Sequence, residues 1–115
     1  MNDFKSYFET LYKNFDERKI DLVIENMTDD VEWANGMEGG FVHGRQAVKD
    51  YWTRQFAVMS SNVTPMEIEA EQGKIFIKVH QVVHDLQGKL LADEIVGHIF
   101  ELEHDKISRF TIAEK

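Results

Sequence analysis

The chain of 115 residues is long enough for one domain with a single hydrophobic core, and we expect that domain to span residues 1–115. Its net charge of -8 opposes binding to nucleic acid and to anionic membranes, because their phosphates repel it. Cysteine is absent, which excludes disulfides, thiolate metal sites and cysteine nucleophiles, and the lack of a signal-like or membrane-spanning apolar stretch predicts a cytoplasmic protein.

The spacing of apolar residues predicts three helices in the N-terminal half. The first carries a stripe at i, i+3, i+4, i+7, i+8 and i+11 that is mostly aromatic: Phe4, Tyr7, Phe8, Leu11, Tyr12 and Phe15. Asp21 is expected to cap a short second helix with Leu22, Val23 and Met27. The third begins near His43 or Gly44 and presents one face formed by Val48, Tyr51, Trp52, Gln55 and Phe56.

Strand patterns predict the rest of the fold. In "VEWAN", Val31, Trp33 and Asn35 share one face of a short strand, and the glycine-rich stretch after it is interpreted as a flap over a pocket rim or as simple turns. Pro65 opens a series of four strands in "MEIEAE", "KIFIKVHQVVHD", "KLLADEIVGHIFELE" and "KISRFTIAE". The order predicts an α+β domain in which three helices cover a curved, cone-shaped antiparallel sheet.

The hairpin at "DLQGK" decides which side chains face the helices, since a slip of one residue exchanges the two faces. A tight two-residue turn sets His98 opposite Ile77 and Glu94 opposite Gln81, on the aliphatic inner face. The bulged turn that an aspartate followed by glycine three residues later suggests sets Asp93 opposite Gln81 instead. Both registers are compatible with the local pattern.

Three stretches and the order of elements resemble the nuclear transport factor 2-like superfamily, especially its SnoaL-like and ketosteroid-isomerase-like branches. The stretches are "NFDERKIDLVIENMTDDVEW", "HGRQAVKDYW" and "HIFELEHDKISRF", and the resemblance covers nearly the whole chain. It implies the cone-shaped fold and a homodimer formed through the outer sheet face, where Phe76, Val82, Ile95 and Ile99 are apolar. It does not define the activity, because this fold hosts isomerases, cyclases, dehydratases, hydrolases and non-catalytic binding modules.

The residues that ketosteroid isomerases use are changed at the matching positions. Asn35 stands where the resemblance places their carboxylate base, and an amide cannot remove a proton from carbon. Leu11, with Tyr12 beside it, stands at the position of their helix-1 tyrosine. Their second donor falls at His98 when the aromatic residues are aligned, and at Gly97 when no gap is allowed. We therefore do not expect ketosteroid isomerisation.

The alignment of "HIFEL" points His98 inward and so favours the first register. His98, with an ordinary pKa of about 6.5, and Glu94 are then the candidate acid/base residues; the polyketide-cyclase branch uses an acidic residue in the later strands, which Glu94 or Asp93 could supply. No cofactor or metal is expected, because His80 and His84 lie about 13 Å apart along a strand. The predicted ligand-binding residues are Trp33, Asn35, Tyr7, Trp52, Gln81 and Phe110.

Three functions remain open at this point. The first is a cofactor-independent isomerase, cyclase or dehydratase that transfers protons on a small apolar carbonyl or hydroxyl compound. The second is a non-catalytic carrier or sensor that uses the same cavity, and the third is a dimeric protein-interaction module whose cavity is filled by its own side chains. Replacing His98 separates the first two, and a closely packed interior would leave only the third.

Overall fold

The computed structural model describes residues 4–35 and 39–113 and confirms the α+β class. Three helices occupy the N-terminal half, as predicted. The elements, in chain order, are α1 (Phe4–Asp16), α2 (Ile20–Ile24), β1 (Met27–Ala34), β2 (Phe41–His43), α3 (Arg45–Phe56), β3 (Met59–Glu71), β4 (Lys74–Asp85), β5 (Leu90–Glu103) and β6 (Lys106–Ala113).

The strands form one six-stranded sheet in the order β2-β1-β6-β5-β4-β3. Neighbouring strands are antiparallel except β1 and β6, which are parallel. The sheet is therefore mixed, whereas the sequence predicted an antiparallel one. Three consecutive antiparallel pairs, β3–β4, β4–β5 and β5–β6, fix the direction of β6, which pairs with the edge of β1 opposite to β2. Register shifts interrupt the β1–β6, β3–β4, β4–β5 and β5–β6 pairs, and such bulges bend a sheet.

The glycine-rich stretch contains a strand that the sequence pattern did not indicate. Within the described residues, β2 pairs with β1 as a hairpin, closed by hydrogen bonds from Asn35 N to Gly40 O and from Gly39 N to Asn35 O, both 2.9 Å. Gly39 and Gly40 have φ values of 84° and 74°, which favour glycine. Gly36, Met37 and Glu38 of the expected flap lie outside the described residues.

Three predicted boundaries change. Asp21 lies inside α2, whose N-cap residue is Lys19 without a side-chain cap bond, and Met27 already begins β1. The first strand after α3 starts at Met59, six residues before Pro65. Pro65 sits at a bulge of the edge strand β3, where the N–H that proline lacks is not required by the sheet.

The tip of the β4–β5 hairpin follows the bulged pattern. The Asp85 N–H donates to Lys89 O at 2.8 Å, and Gly88 takes a φ of 93°. The Asp85 carboxylate also accepts hydrogen bonds from the backbone N–H groups of Gln87 and Lys89, both 2.9 Å. By itself, this turn would set Asp93 opposite Gln81 on the inner face of β4.

A second bulge restores the other register. His84 pairs with Leu90, whereas Val83 pairs with Ala92, so Leu91 is an extra residue in β5. Beyond it the register is the predicted one, with Ile77 opposite His98 and Gln81 opposite Glu94. The turn therefore has the predicted bulged geometry, whereas the strands beyond Leu91 have the register that was predicted for a tight two-residue turn.

The helices pack on the inner face of the sheet and bury a core of aromatic and aliphatic side chains. From α1, Phe8, Leu11 and Tyr12 are buried, and from α3, Tyr51 and Trp52 are buried. Phe8 contacts Phe100 of β5 with a distance of 4.8 Å between ring centroids. None of the helices in the described part of the chain is long and apolar enough to cross a bilayer.

Candidate functional site

A cavity of about 320 Å³ lies between the helices and the inner face of the sheet, so the interior is not filled by its own side chains. Seven aromatic residues line it: Tyr12, Phe15, Trp33, Tyr51, Trp52, Phe100 and Phe110. Its other polar members are Gln55, Ser61, Gln81 and His98. No aspartate, glutamate, lysine or arginine is among the described residues that line it, and a cavity of this composition suits an uncharged, largely apolar molecule.

One wall of the cavity is a packed set of rings. Trp33 of β1 stacks on Phe110 of β6, its partner in the parallel ladder, with ring centroids 4.2 Å apart. Trp52 of α3 meets the Trp33 ring edge-on at 5.2 Å. Flat, rigid rings of this kind present a preformed surface to a planar ligand.

The polar centre of the cavity is a hydrogen bond between Tyr12 of α1 and His98 of β5. The Tyr12 hydroxyl lies 2.7 Å from His98 Nδ1, and both side chains are buried. Burial lowers the pKa of His98 to about 4 and raises the pKa of the Tyr12 phenol well above its ordinary value. Both groups are therefore neutral at pH 7.

The identity of the donor follows from the acidities of the two groups. A phenol is a stronger hydrogen-bond donor than a neutral imidazole, so we assign Tyr12 as the donor to Nδ1, which leaves the imidazole proton on Nε2. On this assignment Nε2 carries the imidazole proton and is the ring nitrogen of His98 that can donate to an acceptor oxygen.

The structure brings together most, but not all, of the residues expected at the site. Trp33, Trp52, Gln81, Phe110 and His98 line the cavity. Asn35 is buried but is not among the lining residues, and its backbone closes the β1–β2 hairpin. Tyr7 is also absent from the lining, because its hydroxyl donates to Asn26 Oδ1 at 3.0 Å.

Glu94 shares the inner face of the sheet, as predicted, but it does not join His98. Its side chain is exposed and is not among the residues that line the cavity. The two residues are separated by four positions on β5, or about 13 Å along a strand, which is too far for direct contact. The expected acid/base partnership of Glu94 and His98 is thus not formed.

Comparison with known proteins defines the family. The family model for the SnoaL-like domain matches residues 8–110. The chain belongs to the SnoaL-like family. No protein of curated function matches it in sequence.

Several solved structures are similar to this SnoaL-like domain. A protein of unknown function with the nuclear transport factor 2-like fold, from Burkholderia pseudomallei, is 20% identical, with a TM-score of 0.84 over 97% of this chain and 89% of that one. TerC, co-crystallised with polyporic acid, is 21% identical, with a TM-score of 0.83 over 97% and 90%. SalBIII, an epoxide hydrolase/cyclase-like enzyme of salinomycin pyran ring formation, is 14% identical, with a TM-score of 0.80 over 96% and 89%. At these identities the likeness shows the fold alone.

Sequence reasoning missed Tyr12 as a site residue of this SnoaL-like domain. Its place in the apolar stripe of α1 assigned it to the core, and its partner His98 lies 86 positions away. One signal was present: Tyr12 follows Leu11, which the resemblance matched to a hydrogen-bonding tyrosine. A shift of one position along α1 was enough to supply the hydroxyl.

Metal ligands are not clustered in the part of the SnoaL-like domain that the structure describes: no group of three or more histidine, aspartate or glutamate residues could hold an ion there. His80 instead bonds Asp93 through Nε2 at 2.7 Å on the outer face of the sheet. The residues around the cavity likewise offer no cluster of carboxylates for a cation.

Proposed function

We propose that this domain binds a small, uncharged, largely apolar compound through a carbonyl or hydroxyl oxygen that accepts a hydrogen bond from His98 Nε2. The observation that carries the proposal is the buried, neutral Tyr12–His98 pair in a cavity without charged side chains among its described lining residues. In such surroundings a ligand oxygen that satisfies Nε2–H gains a hydrogen bond without competing against a charged neighbour.

Catalysis by the same pair is the second candidate. A neutral histidine that donates to a carbonyl polarises it, and in its other tautomer the same ring accepts a proton from the substrate. His98 and Tyr12 would then be the catalytic residues of a cofactor-independent isomerase, cyclase or dehydratase. SalBIII, which has a similar fold, is described as cyclase-like. Glu94 takes no part in this version of the mechanism, because its side chain lies outside the cavity.

A matched pair of ligands tests binding. The probes are 2-acetylnaphthalene and 2-ethylnaphthalene, which differ mainly in the carbonyl oxygen, and isothermal titration calorimetry gives the two affinities. We expect the ketone to bind roughly fivefold more tightly, the value of one neutral hydrogen bond. In His98→Phe the preference should disappear. A preference that survives this substitution would place the oxygen elsewhere and contradict the proposal.

The same ketone separates an enzyme from a carrier. Its methyl hydrogens are acidic, so proton transfer at the site is visible as exchange with deuterium in D₂O, followed by NMR. Exchange faster than in buffer and lost in His98→Phe would support catalysis. Binding without accelerated exchange would support a carrier or sensor.

We also propose a homodimer through the outer sheet face. Phe76 of β4 is 37% exposed there and pairs across the strands with Ile99 of β5, while Val82 and Ile95 are half-buried. Some charges on this face are paired within the chain, as in the 2.7 Å contact between Arg109 and Glu32, which lowers the cost of covering those groups.

Light scattering coupled to gel filtration tests the dimer. Ile99→Asp should convert it to a monomer, because burying an unpaired carboxylate in an apolar interface is strongly unfavourable. The control is Leu22→Asp on α2, where the side chain is 45% exposed on another surface, and it should leave the dimer intact. A dimer that persists in Ile99→Asp would show that the interface lies elsewhere.

A further inference from the structure

Three uncharged polar side chains line the cavity away from the Tyr12–His98 pair. Gln55 comes from the last turn of α3, Ser61 from β3 and Gln81 from β4. They converge because α3 leads directly into β3, and β3 pairs with β4 so that residues 61 and 63 stand opposite residues 83 and 81. The chain therefore gathers three hydrogen-bonding groups at the same end of the cavity.

These three side chains make no hydrogen bond to the part of the chain that the structure describes, although they border an interior lined mainly by aromatic and aliphatic groups. Ser61 is the most enclosed, with only 3% of its surface exposed. Among the described residues the Ser61 hydroxyl is not a fully enclosed unpaired polar atom, so it borders the open space of the cavity and is accessible there. A polar group of a ligand would satisfy it.

The distance between the Tyr12–His98 pair and these three side chains determines how long that ligand must be. His98 stands opposite Ile77 on β4, and Gln81 lies four residues farther along the same strand, or about 13 Å. Both side chains face one continuous cavity. A single oxygen cannot contact both, whereas an elongated molecule with an oxygen at each end can.

We propose that Gln55, Ser61 and Gln81 form a second hydrogen-bonding subsite, and that the ligand is an elongated, uncharged compound with a hydroxyl or carbonyl oxygen at each end. This inference rests on the proposed binding of an oxygen at His98 and adds the far end of the molecule. Amide and hydroxyl groups both donate and accept, so the subsite suits a hydroxyl in particular. A carboxylate is disfavoured, because no cationic side chain is present among the described lining residues to pair with it.

Three probes of one shape test the subsite: biphenyl, 4-hydroxybiphenyl and 4,4′-dihydroxybiphenyl. Calorimetry on the intact chain should show that each hydroxyl strengthens binding by roughly fivefold, the value of one neutral hydrogen bond. In the double variant Gln81→Leu/Ser61→Ala the ratio of the dihydroxy to the monohydroxy affinity should fall to about one. His98→Phe should have the same effect on this ratio, since either variant leaves only one polar end.

The outcomes separate the two proposals. If 4-hydroxybiphenyl binds more tightly than biphenyl but the second hydroxyl adds nothing, the second subsite is overturned and the site at His98 stands. A ratio that stays high in the double variant overturns the assignment of Gln81 and Ser61. If no hydroxyl improves binding to the wild-type chain, the proposed function itself fails. Cooperative thermal unfolding of each variant confirms that it is folded.

Discussion

Replacing Trp33 with alanine is expected to lower the free energy of unfolding by about 3–5 kcal/mol, as for other large aromatic side chains removed from a core. Trp33 is only 7% exposed, stacks on Phe110 at 4.2 Å and meets Trp52 at 5.2 Å. Its loss would therefore remove the aromatic contacts that Trp33 makes to α3 and to β6. Urea denaturation followed by far-ultraviolet circular dichroism gives the value.

Two control variants complete this measurement. Trp33→Phe keeps an aromatic ring between the same neighbours, so its cost should be clearly smaller than that of alanine. Leu22→Ala changes an exposed apolar residue and should cost less than about 1 kcal/mol. If Trp33→Ala lowers the free energy of unfolding no more than Leu22→Ala, the packing of Trp33 against Phe110 and Trp52 does not stabilise the fold.

Acidification is expected to destabilise the wild-type chain through His98. The unfolded state takes up a proton near pH 6.5, whereas burial holds the pKa of the folded-state imidazole at about 4. Stability from this group is thus fully present above pH 6.5 and falls as the pH decreases from 6.5 to 4. The shift corresponds to a loss of about 3 kcal/mol over that range.

Urea denaturation at several pH values isolates this effect by comparison with a variant. In His98→Gln, the part of the pH dependence between 6.5 and 4 that comes from the imidazole should vanish, and the remaining slope reports the carboxylates. His84→Gln, a change on the outer face of the sheet, should retain the wild-type slope. Parallel pH profiles for the wild type and His98→Gln would show that His98 is not kept neutral by burial.

The sequence predicted the inward position of His98 for a reason that proved incomplete. The alternation of apolar residues identified the inner face of β4, and the family resemblance selected between two registers. The turn itself has the geometry that favours the other register, and Leu91 compensates for it as an extra residue in β5. A single bulged residue has little local signature, because its effect lies in the pairing of two strands and not in the properties of its own side chain.

Other differences arise from the same limit of local patterns. The three residues of β2 follow glycines and are too few to show alternation, so pairing with β1 alone defines them as a strand. Helical periodicity placed Tyr12 correctly in the buried stripe of α1, but only the packing of α1 against β5 brings its hydroxyl to His98. Glu94 was assigned to the correct face, whereas its exposure depends on how far the helices extend over that face.

The parallel pairing of β1 and β6 has a consequence for synthesis of the protein. Glu32 and Arg109, which join these strands, are 77 positions apart, so the ribosome completes nearly the entire domain before the contact can form. Until β6 emerges, Trp33 lacks its stacking partner Phe110, so the face of the indole that Phe110 covers stays open. Contacts of such long sequence separation also slow folding. Completion of the cavity wall that Trp33 and Phe110 form is therefore a late event, possible only after translation has passed Phe110.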